Sequence, residues 1–108
     1  MGSVIFPKQG EIYWANLDPT VGREIKKRRP VLIVSPDVMN RNLNTIIAAP
    51  ITSTMRDWPT RCAIAVKGKT RSVALDQIRC LSVERLSSKP IASVDPAAAL
   101  AILREIFT

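Results

Sequence analysis

The sequence predicts a mainly β chain, a small antiparallel barrel with one α-helix packed on it at the C-terminus. Three observations carry this reading. Short apolar segments recur at close spacing, Gly, Pro, Asn and Asp punctuate them, and the apolar period lengthens to three and four residues only after Pro96. Many short strands followed by one helix suit a sheet that closes on itself and is covered by that helix. A hydrophobic content of 46% and a mean hydropathy of +0.08 indicate a folded globule. The 108 residues fit a single domain spanning 1–108.

Residues 1–9 read as a loose arm whose tip, Val4 to Phe6, tucks against the domain. Gly10 opens a strand through Leu17, with Ile12, Trp14 and Asn16 on one face and Glu11, Tyr13, Ala15 and Leu17 on the other. Trp14 is expected in the core or at a subunit interface. Asp18-Pro19-Thr20 is a turn signal, and Gly22 lets the following loop bend. Pro30–Ser35 is too short and too β-branched for a helix and reads as a buried strand. A polar connection from Asp37 to Asn44 leads to a strand over residues 45–51, which ends in the hydroxyl row Thr52-Ser53-Thr54.

Met55 to Thr60 is a second loop, carrying Arg56, Asp57, Trp58 and Pro59. Arg61–Val66 alternates as a strand with Cys62, Ile64 and Val66 on one face. Lys67 to Arg71 reads as a basic turn, and Ser72–Leu75 and Ile78–Leu81 as short strands flanking Asp76 and Gln77. Val83 to Leu86 is a helical turn and Lys89 to Ser93 a last short strand. Ser93 or Asp95 caps the terminal helix, Pro96 suits its first position, and Leu100, Leu103, Ile106 and Phe107 form its apolar stripe.

Sixteen basic against nine acidic residues give a net charge of +7 and a pI near 10.1. In a chain this small, that excess points to a polyanionic partner, most often nucleic acid. An anionic membrane surface would call for a long basic amphipathic helix, which the sequence lacks. With no apolar run of spanning length and no signal-peptide pattern, the expected location is the cytoplasm. Cys62 and Cys80 stand apart in apolar segments and read as buried small hydrophobes. The chain has no histidine. That excludes Ser-His-Asp, Cys-His and two-histidine acid–base catalysis and argues against a zinc site. No cofactor is expected.

The most informative stretch is Gly22 to Pro36, where Arg23, Lys26, Lys27, Arg28 and Arg29 crowd into seven residues with Glu24 as the only acid. This cationic loop feeds directly into the apolar run Val31–Val34, and Arg29 sits at the junction, where a rigid scaffold can position it. The competing reading is a solvated surface loop. Ordered along the chain are Gly10-Glu11, Asp18-Pro19-Thr20, Gly22-x-Glu24, Arg29-Pro30, Ser35-Pro36, Pro50-x-Thr52 and Ala74-Leu75-Asp76-Gln77-Ile78-Arg79. Together they resemble the MazF/PemK (Kid-like) toxins of bacterial type II toxin–antitoxin systems, over nearly the whole chain.

The resemblance implies an SH3-like barrel with a C-terminal helix, a homodimer, and metal-independent, sequence-selective cleavage of single-stranded RNA. It also implies a cognate antitoxin that blocks the RNA surface. By position, Arg29 and Thr52 match the family's essential arginine and threonine, and Glu24 matches a loop carboxylate important in some members. Asp76 and Gln77 match positions that line the site or contact RNA. Ala74 stands where the Kid/PemK branch has a second catalytic arginine, which places Asp76 as an acid or base in doubt. Arg23, Lys26, Lys27, Arg28, Ser53, Arg56, Trp58 and Gln77 are the expected RNA-binding residues, with Trp58 suited to stacking on a base. RNA carries its own nucleophile, so such a site must supply in-line geometry and charge stabilisation, for which the planar guanidinium of Arg29 is suited. Glu24 could accept the 2′-OH proton or could serve as a salt bridge that orders the loop. Two other readings belong to different classes. One is the gyrase-poison branch, whose C-terminal Trp-Gly-Ile is replaced here by Glu105-Ile106-Phe107-Thr108. The other is a non-catalytic SH3-like nucleic-acid-binding module.

Overall fold

β3 (Thr45–Thr52) is the spine of the fold, because strands from both halves of the chain pair with it. The computed structural model describes residues 6–108. β1 (Glu11–Asn16), β2 (Arg28–Ile33) and β3 form an antiparallel meander, and β4 (Arg61–Val66), β5 (Lys69–Ala74) and β6 (Arg79–Ser82) follow it. The sheet has seven strands in the order β4-β5-β3-β2-β1-β7, with β6 also on β3 and β7 (Ala92–Ser93) on β1. It curls into a half-barrel and α2 (Ala97–Ile106) packs at its open end.

The curled sheet carries a buried apolar cluster on each face, and strand alternation assigns each residue to one or the other. Ile12, Leu32, Ala49, Ile51 and Val73 belong to one cluster, closed by Ala99 of α2. Tyr13, Ala15, Leu17, Val31, Ile33, Ile46 and Leu81 form the second. Of the two faces read from the sequence of β1, Tyr13, Ala15 and Leu17 enter the second cluster and Ile12 the first, while Trp14 is half-buried and Asn16 exposed. Each fully buried Leu or Ile contributes about 1.5–3 kcal/mol.

Several elements differ from the sequence expectation. The connection after Pro36 contains a short helix, α1 (Asp37–Asn42), tied down by the fully buried Asn40. Its Nδ2 donates to the carbonyls of Pro7 (2.9 Å) and Ser35 (3.1 Å), and its Oδ1 accepts from the Ser35 hydroxyl. Only Lys67 and Gly68 make the β4–β5 turn, both at positive φ; Lys69 to Arg71, read as turn, alternate within β5. Leu75–Gln77 is a 3₁₀ turn. Cys62 is buried, as expected, but Cys80 is exposed because it stands on the outer side of the short β6. The terminal helix is docked through Ala99, Ile102 and Leu103; Ile106 and Phe107, expected in its stripe, are exposed in the last turn. Pro96, expected at the first helical position, is instead the N-cap and offers no side-chain bond; Asp95, one residue before it, accepts from Ala97 N through Oδ1 at 3.0 Å. Of the expected N-terminal tuck, Phe6 is half-buried, and Val4 and Ile5 lie outside the described residues.

Gly10 closes the barrel end. Its N–H donates to Ile33 O (2.9 Å), its carbonyl accepts from Val94 N (2.8 Å), and its φ is +94°. A Cβ there would stand 2.6 Å from Val94 O. Gly10→Ala combines left-handed strain with a backbone clash and should destabilise the fold by roughly 2–4 kcal/mol in a urea titration.

Tyr13 is the only tyrosine of the chain. Burial, reinforced by its hydrogen bond to the Glu11 carboxylate (3.1 Å) and by that charge, pushes its phenol up to about 12. The unfolded phenol loses its proton near 10, so between these values the folded state holds the extra proton and stability falls as pH rises. A titration followed at 295 nm should show native phenolate only near pH 12, and chemical denaturation should show declining stability from pH 10 upward.

Candidate active site

The register of the meander brings Arg29 and Thr52 together. Val31 pairs with Pro50 and Leu32 with Ala49, so continuing the ladder two residues sets Arg29 opposite Thr52, on the same face. Both line a cavity of about 510 Å³, joined from the loops by Arg23, Arg56 and Trp58 and from the 3₁₀ turn by Asp76 and Gln77. Six residues selected from sequence therefore meet in one groove: Arg23, Arg29, Thr52, Arg56, Trp58 and Gln77.

Each of these side chains has a distinct local state. Arg29 Nε donates to Lys26 O at 3.3 Å, and among the described residues its terminal nitrogens have no partner, so they can donate into the groove. Thr52 is only 8% exposed and its Oγ1 accepts from Thr54 N (3.1 Å). Its hydroxyl lone pair is thus engaged while the O–H proton is free to donate. Gln77 Oε1 accepts from Ile25 N at 2.7 Å, pinning the β1–β2 loop to the 3₁₀ turn and leaving the amide N–H groups unspent.

The other expected residues are placed elsewhere. Glu24 lines an adjoining cavity of about 200 Å³ that shares Ile25, Asp76 and Gln77 with the groove, and its Oε1 accepts from Val21 N at 2.6 Å, a bond that orders the loop. Arg28 falls on the opposite sheet face from Arg29, by strand alternation, with its guanidinium 5.0 Å from the centre of the Trp14 ring. Trp14 is half-buried there, in a separate 330 Å³ cavity rimmed by Lys67, Lys69 and Arg71. Lys27 sits at φ 69° with its N–H on Asp18 Oδ1 (3.0 Å), closing the base of the loop. Lys26 and Ser53 are exposed and line none of these cavities.

Sequence reading missed Arg61 and Thr54. Arg61 Nε donates to Asp76 Oδ1 at 2.8 Å and Nη2 to Oδ2 at 3.3 Å, while the Thr60 hydroxyl donates to the same Oδ1 at 3.1 Å. The guanidinium also lies over the Trp58 ring, 4.6 Å from its centre, and that of Arg56 lies 5.3 Å away. The pairing of Arg61 with Ala74 carries the cation to Asp76 across the β4–β5 hairpin, a proximity that no local sequence signal announces. Burial alone would raise the Asp76 carboxyl, but its hydrogen bonds from Arg61 and Thr60 and the Arg61 charge hold it below the ordinary value. Among the described residues, no group of three or more His, Cys, Asp or Glu could hold a metal ion, and no helix is long and apolar enough to cross a membrane.

A curled β half-barrel whose strand ends present a guanidinium and a hydroxyl in a cation-lined groove defines a small polyanion-binding β protein. Its family follows from the sequence: the model of the PemK-like, MazF-like toxin of type II toxin–antitoxin systems matches residues 8–107, and the chain belongs to that family. It is 39% identical over 88 residues to the endoribonuclease EndoA of Bacillus subtilis, covering 76% of each chain. The crystal structure of MazF from Deinococcus radiodurans superposes with a TM-score of 0.79 at 29% identity, covering 94% of this chain and 93% of that one. An endoribonuclease in complex with its cognate antitoxin, from a mycobacterial species, superposes with a TM-score of 0.70 at 27% identity over 91% of this chain and 87% of that one.

The lowered Asp76 carboxyl fixes the sign of a pH effect. Its contribution is present above the ordinary value of 3.8 and is lost as pH falls through the folded value. Asp76→Asn should therefore be less stable than the wild type near pH 7, with the gap narrowing in acid. Denaturation midpoints of the two chains at pH 7 and pH 3 check this.

Proposed function

We propose that this chain is a cytoplasmic, metal-independent endoribonuclease toxin that cleaves single-stranded RNA by internal transfer. The observation that carries the reading is the convergence of Arg29 and Thr52, from facing strands, in one cation-lined groove. The 2′-oxygen bonds to the adjacent phosphorus and the bond from phosphorus to the 5′-oxygen breaks, leaving a 2′,3′-cyclic phosphate and a 5′-OH. The 2′-OH proton passes to solvent water and the leaving 5′-oxygen takes a proton from water, so protons balance over the step.

Negative charge grows on the phosphoryl oxygens as the new bond forms, and the free Arg29 nitrogens and the Thr52 O–H are donors suited to it. Arg29 is permanently charged and serves as an electrostatic clamp instead of a proton donor. Glu24 acts by holding the loop, consistent with its bond to Val21 N. Arg23 and Arg56 attract the backbone phosphates, and Trp58, 49% exposed, offers a face for a base.

The functional unit is a two-fold homodimer, twice the 11.9 kDa of one chain, with the basic loops of both copies bordering a shared RNA path. A cognate antitoxin supplies an acidic or amphipathic segment to the same groove, so that antitoxin and RNA exclude each other. The mycobacterial endoribonuclease similar to this chain is described in complex with its cognate antitoxin, which supports an antitoxin partner here.

Arg29→Ala should lower cleavage by about 10²–10³-fold, the range for one lost oxyanion donor, with much smaller loss of RNA binding. Thr52→Ala should behave similarly but less severely. The substrate provides the decisive test. A single 2′-deoxy sugar 5′ of the scissile phosphate should abolish cutting and leave binding nearly unchanged, and excess chelator should leave the rate on all-RNA substrate intact. Mass analysis showing a linear 5′-phosphate fragment would overturn the mechanism.

A further inference from the structure

The Trp58 ring is a wall between two cavities. Arg56, Trp58 and Arg61 line the groove that holds Arg29 and Thr52, and the same three residues line a second cavity of about 420 Å³ with Met55, Asp57, Ala63 and Ser72 behind them. The wall is anchored from the groove side. Arg61 has a side chain only 7% exposed, and the Asp76 carboxylate that compensates its charge is engaged through both oxygens. Held in that way, the guanidinium braces the indole from 4.6 Å. Arg56 also lies over the ring, but it is exposed and has no carboxylate partner among the described residues, so it can yield its place.

We propose that the second cavity is a nucleobase subsite for the residue flanking the cleaved linkage, and that Asp76 is a positioning residue that sets base preference there by locking Arg61 against Trp58. This rests on the reading of the groove as a ribonuclease site. An RNA strand whose phosphate lies between Arg29 and Thr52 passes over the wall, stacks one base on Trp58 and drops that base edge-first toward Met55 and Asp57. The Asp57 carboxylate oxygens offer acceptors, so they favour a base with an exocyclic amine and disfavour uracil. Asp76 is poorly placed to take a proton, because its oxygens already receive hydrogen bonds from Arg61 and from the Thr60 hydroxyl.

The test compares wild type, Asp76→Asn and Ala63→Phe. Ala63 is exposed on β4 and lines the second cavity but not the groove, so a phenyl ring there fills the subsite without touching Arg29. Cleavage ends mapped on a mixed RNA pool should show that both variants lose preference at the same flanking position. KM should rise about tenfold, the scale of one lost stacked base, while kcat and the shape of its pH profile are kept. If Asp76→Asn instead collapses kcat on every sequence and removes a limb of the pH profile, Asp76 is an acid or base and the proposal fails. Unchanged base preference in Ala63→Phe would also refute it.

Binding separates this proposal from the nuclease reading. In a Trp14→Phe background Trp58 is the only tryptophan, since the chain has two. Uncleavable 2′-deoxy oligonucleotides should quench its fluorescence, least for those with uridine or thymidine at the flanking position. The base dependence should vanish in Ala63→Phe and weaken in Asp76→Asn. Base-dependent quenching without any cutting of RNA by the wild type would remove the nuclease reading and leave the subsite standing. Base-independent quenching would remove the subsite alone.

Discussion

The geometry of the groove depends on how β3 changes partners along one edge. Between Ala48 and Ile51 it advances three residues, while the facing chain passes from Arg79 to Val73, which is six. The surplus of three is the 3₁₀ turn Leu75–Gln77, which has no strand partner and bulges from the sheet. Pro50 stands at that gap, with no N–H to be stranded by the missing ladder bonds. Asp76 and Gln77 reach the groove because the edge is interrupted here, and Thr52 follows directly beyond the interruption. A sheet with an unbroken edge would not hold Asp76 and Gln77 in this place.

The cationic composition divides into scaffold and surface once partners are assigned. Arg79 donates to Leu17 O at 3.0 Å and Arg85 to Asn16 O and Asp18 O at 3.0 and 2.6 Å, so both clamp the end of β1. Arg61 is committed to Asp76, and Arg28 is stacked on Trp14. Net charge alone would have sent all of these toward a polyanion. Among the described residues, the cations bordering the groove with no carboxylate partner are Arg23, Arg29 and Arg56. A strongly basic protein can therefore present a rather small basic site, because arginine's five donors also serve as caps for carbonyls at strand ends.

The fold was largely legible in the sequence. Period-two segments and turn residues located β1 through β4 to within two residues, and Asp95-Pro96 located α2. The misread elements have a common cause: local pattern does not reveal which residues a neighbouring strand will recruit. Lys69 to Arg71 look like a solvated turn until β4 pairs with them, and Arg28 and Arg29 look like one cluster until the strand is extended back to include both. Alternation would then have separated them. Arg29 and Thr52 were legible as a pair only through the family resemblance, since nothing local links a loop end to a hydroxyl row 23 residues later. Arg61 carried no signal at all, because its role exists only through a contact with Asp76 fifteen residues away.

The interrupted edge of β3 also bears on when the groove comes into being as the chain folds. The β2–β3 hairpin can bring Arg29 beside Thr52 from the first half of the sequence alone. The wall and the turn come from residues 58–77, and β6, which fixes the far end of the turn, pairs only after residue 79 has been made. These are non-local pairings, which form late because loop-closure entropy must be overcome first. In chain order, the residues that pair Arg29 with Thr52 are therefore complete well before those that build the rest of the groove. The complete site arrives with completion of the sheet.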